Sequence, residues 1–330
     1  MSVKNEVLKK LESSKGEFFS GATLAEELGV SRAAVWKAIT ALKESGYKID
    51  SITNRGYCLL PDSDIVSSQS IMTHLDGSNR SLDITVYKEL TSTNTVLKDM
   101  ATKGAGEGTV IVAESQTAGR GRLGRKFESP SDTGIYFSIL LRPDMPATDS
   151  LFLTTSAAVA VAKSIESVKD CKAQIKWVND VFVDGLKVCG ILTEGAFNME
   201  TGKLDYAIVG IGINVIPPEN GFPEELRDIA GAVFTREEDS INCRSILVAH
   251  ILNHFMDYYR HLDQRTFFEE YRDRSILLGH KIFVVEKDKY IPATALDIDT
   301  DCHLIVQFED GNTKELSSGE VSIRLTPDKN

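Results

Sequence analysis

Residues 174–194 read QIKWVNDVFVDGLKVCGILTE, and this stretch indicates the fold class of the centre of the chain. Its apolar residues fall into three short runs, each of which predicts a β-strand: Gln174–Val178, Val181–Val183 and Lys187–Glu194. Few polar residues separate the runs, and Asp184-Gly185 is a typical tight turn. Because these strands follow one another without a helix between them, the stretch favours an α+β sheet over a strict βαβ alternation.

The same mixture of strands and helices extends over residues 82–275. Further strands are predicted at Asp83–Leu90, Thr109–Glu114, Gly134–Leu141 and Leu204–Ile216. Helices are predicted at Asn94–Thr102, Asp149–Val168 and Ile241–Leu262. The second of these helices has apolar residues at positions 151, 158, 161 and 165, which lie on one helical face. We therefore expect one sheet packed with helices.

The end of the chain has the pattern of a small all-β barrel. Short strands are predicted at Lys281–Glu286, Ile291–Asp297, His303–Phe308, Thr313–Leu316 and Val321–Leu325. Asp310-Gly311-Asn312 is the clearest hairpin signal among them. The length of 330 residues suggests two domains, with three short ones as the alternative. The patterns favour three, at residues 1–62, 63–275 and 276–330, in a multidomain α+β protein.

The charge of the chain is unevenly distributed. The whole sequence has a net charge of −11, which argues against a protein that binds nucleic acid over its entire surface. Residues 1–60 carry nine basic and seven acidic side chains, a net of +2, whereas the remainder carries 28 basic and 41 acidic, a net of −13. The polar stretch Pro61–Ile65 follows at once and reads as a linker. A separate N-terminal module is therefore expected.

This module has the pattern of a winged helix-turn-helix. Ser20 and Ser31 are placed to cap two helices, Gly21–Leu28 and Arg32–Lys43, across the Gly29-Val30 turn. Strands at Lys48–Ser51 and Tyr57–Leu60, turned at residues 54–56, form the predicted wing. The candidate DNA contacts are Ser31, Arg32, Trp36, Lys37 and Arg55.

Two alternatives remain open for this module. A pair of helices joined by a glycine turn also serves protein contacts, and Trp36 could pack between helix and wing instead of touching DNA. A module of only +2 binds DNA weakly by itself, because neutralisation of phosphates drives affinity. A dimer reading a two-fold pair of half-sites would overcome that weakness.

The stretch Gly119-Arg120-Gly121-Arg122-Leu123-Gly124-Arg125-Lys126 is the sharpest candidate for a ligand site. Glycine lets the backbone approach a ligand closely, and arginine offers planar donors that match phosphate or carboxylate. The alternatives are an exposed basic loop or an RNA-contacting segment. Because the loop lies between two apolar strands of an acidic domain, we favour a loop that covers an anionic ligand and orders around it.

Three further groups of polar residues accompany this loop. Lys176-Trp-Val-Asn179-Asp180 is followed by Lys187, which lies in a strand pattern. A lysine in that position is usually a solvated edge residue or a charge on the face of the strand, and this alternative stays open. Thr91-Ser92-Thr93-Asn94 lies where a strand meets a helix, and Ser92 or Thr93 could simply cap that helix. Gln116, just before the loop, offers an amide donor and acceptor.

Taken together, these motifs resemble the family of bifunctional biotin–protein ligases and biotin operon repressors. The resemblance rests on Ser92-Thr93-Asn94, Gln116, the GRGRLGR run, KWVND and GLKVCGIL, in that order. It extends to the GIGIN stretch at 210–214 and the GEVS stretch at 319–322. Two positions depart from the family pattern, since Val178 replaces a proline and Phe127 replaces a tryptophan.

The resemblance implies a fold and an activity. The fold would be a winged helix-turn-helix, a central α+β ligase domain of the class II synthetase-like, biotin-ligase type, and a C-terminal SH3-like β-barrel. The activity would be that of a biotin–[biotin carboxyl-carrier protein] ligase, which uses ATP and Mg²⁺ to form biotinyl-5′-adenylate. The biotinyl group then passes to a lysine of a biotin carboxyl carrier domain. The N-terminal module implies the repressor form, in which an adenylate-bound homodimer binds operator DNA of biotin genes.

The resemblance also implies which residues contact the ligands. These are Ser92, Thr93, Asn94, Gln116, Gly119, Arg120, Gly121, Arg122, Arg125, Lys176, Asn179, Lys187 and Gly190. Lys187 and Arg122 are the catalytic candidates: Lys187 would contact the carboxylate–phosphate junction, and Arg122 with Arg120 would cover the adenylate. Asp180 would either help with Mg²⁺ or orient its turn, and no residue is assigned as a metal ligand.

Other features narrow the class of protein. The five cysteines include no CxxC pair, which excludes a zinc ribbon and a disulfide scaffold and fits a reducing cytoplasm. The apolar stretch Tyr206–Pro218 is too short to cross a bilayer, so no membrane association is expected. The six histidines show no catalytic spacing. Two other functions remain as alternatives: a lipoate–protein ligase, and a ligand-sensing transcription factor with an inactive ligase domain.

Overall fold

The computed structural model describes residues 2–236, 243–286 and 289–322. The N-terminal module contains helices α1 (Val3–Glu12), α2 (Gly21–Glu27) and α3 (Arg32–Glu44), followed by strands β1 (Ile49–Ile52) and β2 (Gly56–Leu59). Both predicted caps are confirmed, because Ser20 Oγ accepts from the Thr23 N–H and Ser31 Oγ from the Ala34 N–H. The helix-turn-helix with its wing is therefore present.

Helix α1 was not predicted from the charge-rich start of the chain. Its Val7, Leu8 and Leu11 are buried in an apolar cluster with residues of α2, α3 and the wing. At the wing turn, Gly56 has a φ of +103°, and a Cβ there would lie 2.0 Å from the Phe19 carbonyl oxygen. Only glycine allows that close approach, which ties the wing to the chain that enters α2.

The polar stretch predicted to be a linker lies against the protein. Ser63 is buried, and its carbonyl oxygen accepts from Lys15 Nζ at 3.1 Å. Asp64 Oδ2 accepts from Arg244 Nε at 2.7 Å, which fixes the stretch to the central domain. A short helix, α4 (Ser68–Thr73), follows and was also missed.

The central domain is built on a seven-stranded sheet. Its strands are β3 (Asp83–Leu90), β4 (Thr109–Gln116), β5 (Gly134–Leu141), β6 (Gln174–Lys176), β7 (Asp180–Val183), β8 (Leu186–Phe197) and β9 (Leu204–Asn214). Their order is β3-β4-β5-β9-β8-β7-β6, in which β3 and β4 are parallel and the other neighbours antiparallel. The predicted α+β architecture is confirmed, with strand ends that shift by up to three residues.

Helices cover both faces of this sheet. They are α5 (Thr93–Thr102), α6 (Leu151–Val168), α7 (Cys243–Arg260) and α8 (Phe268–Asp273), the last of which was not predicted. Helix α5 packs with Ile111, Leu140 and Ile208 on one face, whereas α6 and α7 belong to the larger core on the other. Residues 241–242, the predicted start of α7, lie outside the described residues. Residues Ala147–Val168, which include α6, are long and apolar enough to cross a membrane, yet 72% of the apolar 18-residue segment within them is buried inside the protein.

The C-terminal segment forms a five-stranded antiparallel sheet. Its strands are β10 (Lys281–Glu286), β11 (Lys289–Ile298), β12 (Leu304–Phe308), β13 (Thr313–Leu316) and β14 (Glu320–Ser322), in the order β13-β12-β11-β10-β14. Residues 323–325 of the last predicted strand lie outside the described residues. The sheet shares one continuous apolar core with the central domain, whereas the N-terminal module has its own core. The boundary predicted at residue 276 therefore separates two parts that pack as one body.

Candidate functional site

A pocket of about 1010 Å³ opens where the ends of the central strands meet the basic loop and the C-terminal sheet. Twelve of the thirteen predicted ligand contacts line it: Ser92, Thr93, Asn94, Gln116, Arg120, Gly121, Arg122, Arg125, Lys176, Asn179, Lys187 and Gly190. Gly119 does not line the pocket. A Cβ at that position would lie 2.3 Å from the Phe127 carbonyl oxygen, so Gly119 allows the two sides of the loop to approach each other.

One end of the pocket is a network of neutral hydrogen-bonding groups. The Thr93 N–H donates to Gln116 Oε1 at 2.9 Å, and Gln116 Nε2 donates to Ser129 Oγ at 2.9 Å. Ser138 Oγ lies 2.7 Å from Thr93 Oγ1 and 2.6 Å from Asn94 Oδ1. Ser92 stands at the N-cap position of α5, but its side chain makes no capping bond. The capping alternative is therefore wrong for Ser92, which is one of the residues that line the pocket.

The basic loop is a small hairpin that lies over this pocket. The Gly121 N–H donates to the Arg125 carbonyl at 2.8 Å, and the Phe127 N–H donates to the Gly119 carbonyl at 3.0 Å. Leu123, at the tip, has a φ of +56° and is 77% exposed. The loop therefore presents its apolar tip to solvent while arginines on either side of the tip line the pocket.

Arg122 ties the loop to two other parts of the pocket. Its Nη1 donates to Asn179 Oδ1 at 3.1 Å, and its Nη2 donates to the Gly319 carbonyl at 3.0 Å. Gly319 precedes the last strand of the C-terminal sheet, and Val321 of that strand also lines the pocket. The GEVS stretch at 319–322 was part of the family resemblance, but no ligand contact was predicted there, because this contribution depends on how the C-terminal sheet docks.

The cationic end of the pocket is centred on Lys187, at the start of β8. Its Nζ lies 2.7 Å from Asp180 Oδ1, its side chain is 28% exposed, and β8 is an interior strand of the sheet. The alternative of a solvated edge lysine is therefore wrong. Lys176 and Asn179 line the same end, and Asn179 Nδ2 donates to the Ile191 carbonyl at 2.9 Å.

The turn that carries these residues is supported from behind. The peptide bond between Trp177 and Val178, the position at which the family pattern has proline, is cis. The Tyr271 hydroxyl donates to the Val178 carbonyl at 3.0 Å, and Trp177 Nε1 donates to the Cys302 carbonyl at 2.9 Å. Burial raises the pKa of Tyr271 well above its ordinary value, so the hydroxyl remains a donor.

Glycines form the floor between the two ends. A Cβ at Gly212 would lie 2.6 Å from the Phe127 ring, and one at Gly190 would lie 3.1 Å from that ring. A Cβ at Gly210 would lie 2.0 Å from Asn94 Oδ1. Phe127 also packs edge-on against Tyr136, with ring centroids 6.2 Å apart. The missing side chains therefore leave a flat surface of backbone, which Phe127 partly covers.

The predicted DNA contacts are all exposed on the N-terminal module. Ser31, Arg32, Trp36 and Lys37 are exposed at the start of α3, and Arg55 is exposed on the wing turn. Trp36 is 58% exposed, so the alternative in which it packs between helix and wing is wrong. The Arg55 guanidinium lies over the Phe18 ring at 4.1 Å, which orients it on the surface of the wing.

Comparison with known proteins finds matches within each of the three predicted domains. Residues 86–214 match the model of the biotin/lipoate A/B protein ligase family, residues 3–58 match an HTH domain, and residues 284–324 match the biotin protein ligase C terminal domain. The bifunctional ligase/repressor BirA of Bacillus subtilis is 36% identical over 259 residues, 78% of this chain and 79% of that protein. The BirA protein of Escherichia coli is 27% identical over 94% of both chains.

A solved structure shares the arrangement of the central domain. The biotin protein ligase from Aquifex aeolicus in complex with biotin and ATP superposes with a TM-score of 0.60 at 29% identity. The match covers 73% of this chain and 98% of that protein.

Proposed function

This chain belongs to the family of bifunctional biotin ligase/repressors, and on that premise we propose that it activates biotin with ATP, transfers it to a carrier protein and represses transcription in response to biotin. The two proposed activities are those in the names of its relatives, the bifunctional ligase/repressors. The residues of the pocket explain how this chain could carry out the ligase activity.

The observation that carries the proposal is the division of the pocket into two chemically different ends. The neutral network of Thr93, Asn94 and Gln116 suits a polar, uncharged ring such as the ureido group of biotin, since each unpaired buried partner costs about 1–3 kcal/mol. Lys176 and Lys187 suit a carboxylate at the other end. Biotin has these two properties at its two ends, and the glycine floor leaves room between them.

Activation consists of attack by a biotin carboxylate oxygen on the α-phosphorus of ATP. An O–P bond forms, the bond to the β-phosphate breaks, and pyrophosphate leaves with the electron pair. Because two anions must approach, cations are needed where charge develops, and Lys187 is the residue that we assign to that junction. Arg122 closes the loop over the adenylate and shields the mixed anhydride from water.

Transfer requires no covalent enzyme intermediate. The neutral ε-amine of the acceptor lysine attacks the carbonyl carbon of the adenylate, AMP leaves, and the amine loses a proton as the amide forms. The pocket mouth must therefore admit a lysine side chain of the biotin carboxyl carrier domain while the loop still holds the adenylate.

Mg²⁺ is part of the proposal as the partner of the nucleotide phosphates. The pocket is lined by the carboxylates of Glu128, Asp180 and Asp228, and Mg²⁺ is usually held by one or two carboxylates together with substrate phosphates. Asp180 is engaged with Lys187, so carboxylates of this set would hold the ion only together with the nucleotide phosphates. When bound there, Mg²⁺ would neutralise phosphate charge.

Repression requires a dimer, because the net charge of +2 on the N-terminal module is too weak for one module to bind DNA tightly. Adenylate binding would stabilise a homodimer, whose two helix-turn-helix modules would match a two-fold operator. Consumption of the adenylate by carrier protein would then release the DNA. Sedimentation with and without biotinyl-5′-adenylate tests this step, and a dimerisation constant that does not change would refute it. A cytoplasmic location is proposed as well, supported by five cysteines that are all free thiols.

One experiment separates the proposed activity from its alternatives. The protein is incubated with ATP, biotin or lipoate, and a biotin-acceptor domain, and the acceptor mass and pyrophosphate exchange are measured. A mass gain with biotin supports the proposal. Exchange with lipoate alone would indicate the lipoate–protein ligase, whereas biotin-dependent DNA binding without exchange would indicate a sensor with an inactive ligase domain.

A further inference from the structure

Glu194, on β8, touches both the neutral end of the pocket and the covering loop. Its Oε2 accepts from Asn94 Nδ2 at 2.9 Å, and its Oε1 lies 3.4 Å from Arg120 Nη1. The carboxylate is 24% exposed. It does not line the pocket itself, so any influence on a ligand passes through Asn94 or Arg120.

The contact with Asn94 determines which way the Asn94 amide faces. An ionised carboxylate can only accept, so it requires the nitrogen of the amide on its side. The same nitrogen donates to the Leu192 carbonyl at 3.2 Å, and the amide oxygen therefore faces Ser138 Oγ and the surface of Gly210. Asn94 is 4% exposed, and a rotated amide would leave two acceptors facing each other.

The contact with Arg120 acts on the loop. Arg122 holds one side of the hairpin to Asn179 and Gly319. Arg120 lies on the same side of the hairpin, two residues nearer its base, and Glu194 attracts it toward the neutral end of the pocket. The loop is therefore restrained at two separated points, and the restraint at Arg120 depends on the negative charge of Glu194.

We propose that Glu194 is a positioning residue that orients the Asn94 amide for the neutral end of the ligand and restrains the covering loop through Arg120. The ligand half of this inference rests on the proposed function. The two roles differ in what they need from the side chain. Glutamine keeps an oxygen that accepts from Asn94 but has no charge for Arg120, whereas alanine removes both.

Biotin binding tests the role through Asn94. With isothermal titration calorimetry, Glu194→Ala is expected to bind biotin about tenfold more weakly, the effect of one misplaced buried hydrogen bond. Glu194→Gln is expected to remain within about twofold of wild type, because the acceptor is restored. Equal losses in both variants, or no loss in either, would refute this role.

Tryptic cleavage of the ligand-free protein tests the role through Arg120. The loop contains several trypsin sites, and cleavage follows the population of the open loop when opening and closing are fast. Cleavage after Arg122 and Arg125, followed by mass spectrometry, is expected to be about two- to fivefold faster in both variants, the range of an exposed ion pair. Unchanged cleavage in Glu194→Gln would refute this role.

The matched control is Glu286→Gln. Glu286 forms an ion pair with Lys314 at 2.7 Å in the C-terminal sheet and does not line the pocket. Glu286→Gln should match wild type in both measurements. If it showed the same changes as the Glu194 variants, those changes would reflect a general loss of stability. If wild-type protein binds no biotin, the proposed function fails together with the Asn94 role. The cleavage rates still decide the Arg120 role, because they require no ligand.

Discussion

Lys187 Nζ lies 2.7 Å from Asp180 Oδ1, so a carboxylate offsets the positive charge of the lysine that we assign to the reaction. The two residues are held on adjacent antiparallel strands, where a bulge follows Val181. The Lys187 N–H and carbonyl also bond to Ile229 and Gly231. A ligand carboxylate or phosphate that enters must therefore compete with Asp180 for a lysine whose backbone is already fixed.

Replacement of this lysine should affect chemistry more than binding. Lys187→Ala is expected to lower the rate of biotin-dependent pyrophosphate exchange by about 10²–10³, the usual effect of losing one donor to developing charge. Biotin affinity measured by calorimetry should fall far less, because the neutral end of the pocket is intact. Lys187→Arg, which keeps the charge, should retain more activity. Normal exchange in the alanine variant would remove Lys187 from the mechanism.

Loss of the Arg122 contacts should make the adenylate escape. Arg122→Gly removes the bonds to Asn179 and Gly319, and we expect release or hydrolysis of biotinyl-5′-adenylate to become at least about tenfold faster, since even one hydrogen bond to a charged group contributes about 1.5–3 kcal/mol. The measurement is the decay of enzyme-bound adenylate after removal of ATP.

The control for Arg122→Gly is the same change at the neighbouring residue. Leu123 is 77% exposed at the rim of the pocket and already has a positive φ, so Leu123→Gly adds a glycine to the loop while the Arg122 hydrogen bonds to Asn179 and Gly319 remain. It should hold the adenylate nearly as long as wild type. Equal leakage from both variants would mean that loop stiffness, rather than the Arg122 contacts, retains the adenylate.

The residues of the pocket were predictable where a motif is local in sequence. The GRGRLGR loop and the turn at 176–180 combine residue types that have few structural uses, so their positions could be inferred from the chain alone. Glu194 carried no such signal, because a glutamate near the end of a strand is ordinary until Asn94 and Arg120 are brought beside it. The contact of Gly319 with Arg122 joins residues 197 positions apart and depends on the docking of the C-terminal sheet.

The fold shows the same division. Strands and long helices were predictable from apolar spacing, but α1 was missed because its charged residues hide a narrow buried stripe of Val7, Leu8 and Leu11. The stretch Pro61–Ile65 has the composition of a linker, yet Asp64 is held by Arg244, a residue 180 positions away. The composition of a stretch indicates whether it is soluble and prone to form turns. It does not indicate whether one of its residues pairs with a residue distant in sequence.

Among the charges where the N-terminal module joins the central domain, removal of Arg244 should lower the free energy of unfolding most. Its side chain is 7% exposed, bonds to Asp64 and lies 3.7 Å from Glu114, two residues before Gln116. Burial raises the pKa of both Asp64 and Glu114 even beside this arginine. Arg244→Met is expected to lower the free energy of unfolding by about 3–5 kcal/mol, because it leaves buried carboxylates without their cation.

Urea unfolding measures this loss, and Lys203→Met is its control. Lys203 forms an ion pair with the exposed Asp144 at 2.6 Å, so its removal should cost about 1 kcal/mol or less. If both variants lose the same small amount, Arg244 is not a structural tie. Proteolysis within residues 61–67 should also become faster in Arg244→Met alone.

Three histidines at the seam of α4 and α7 should make stability fall in mild acid. Burial lowers the pKa of His74, His250 and His254, and His250 Nδ1 is hydrogen-bonded to Ser167 Oγ at 2.8 Å. In the unfolded chain these histidines have the ordinary pKa of about 6.5, so they bind protons more readily there than in the folded protein. The stability that they contribute is therefore present above about pH 6.5 and is lost as the pH falls below it.

Urea unfolding between pH 7.5 and 5.5 checks this dependence. The range stops there because Asp64, Glu114 and Glu12, whose pKa values are raised by burial, act in the opposite direction at lower pH. The free energy of unfolding should decrease across the range, and His250→Gln should reduce the slope. A flat profile for wild type would contradict the assignment of these histidines as neutral in the folded state.

Arg32 and Lys37 should act on DNA without acting on the ligase. Both are exposed at the start of α3 beside Trp36, in the module that has its own apolar core. If each neutralises one phosphate, replacement by alanine should weaken binding to operator DNA and lower the salt slope by about 1. Biotinylation of the acceptor domain should stay at the wild-type rate. Glu27→Ala, in the preceding helix, serves as the control for changes to the module surface, because removing an exposed carboxylate should not weaken DNA binding. An unchanged salt slope in both basic variants would mean that α3 is not the DNA-reading helix.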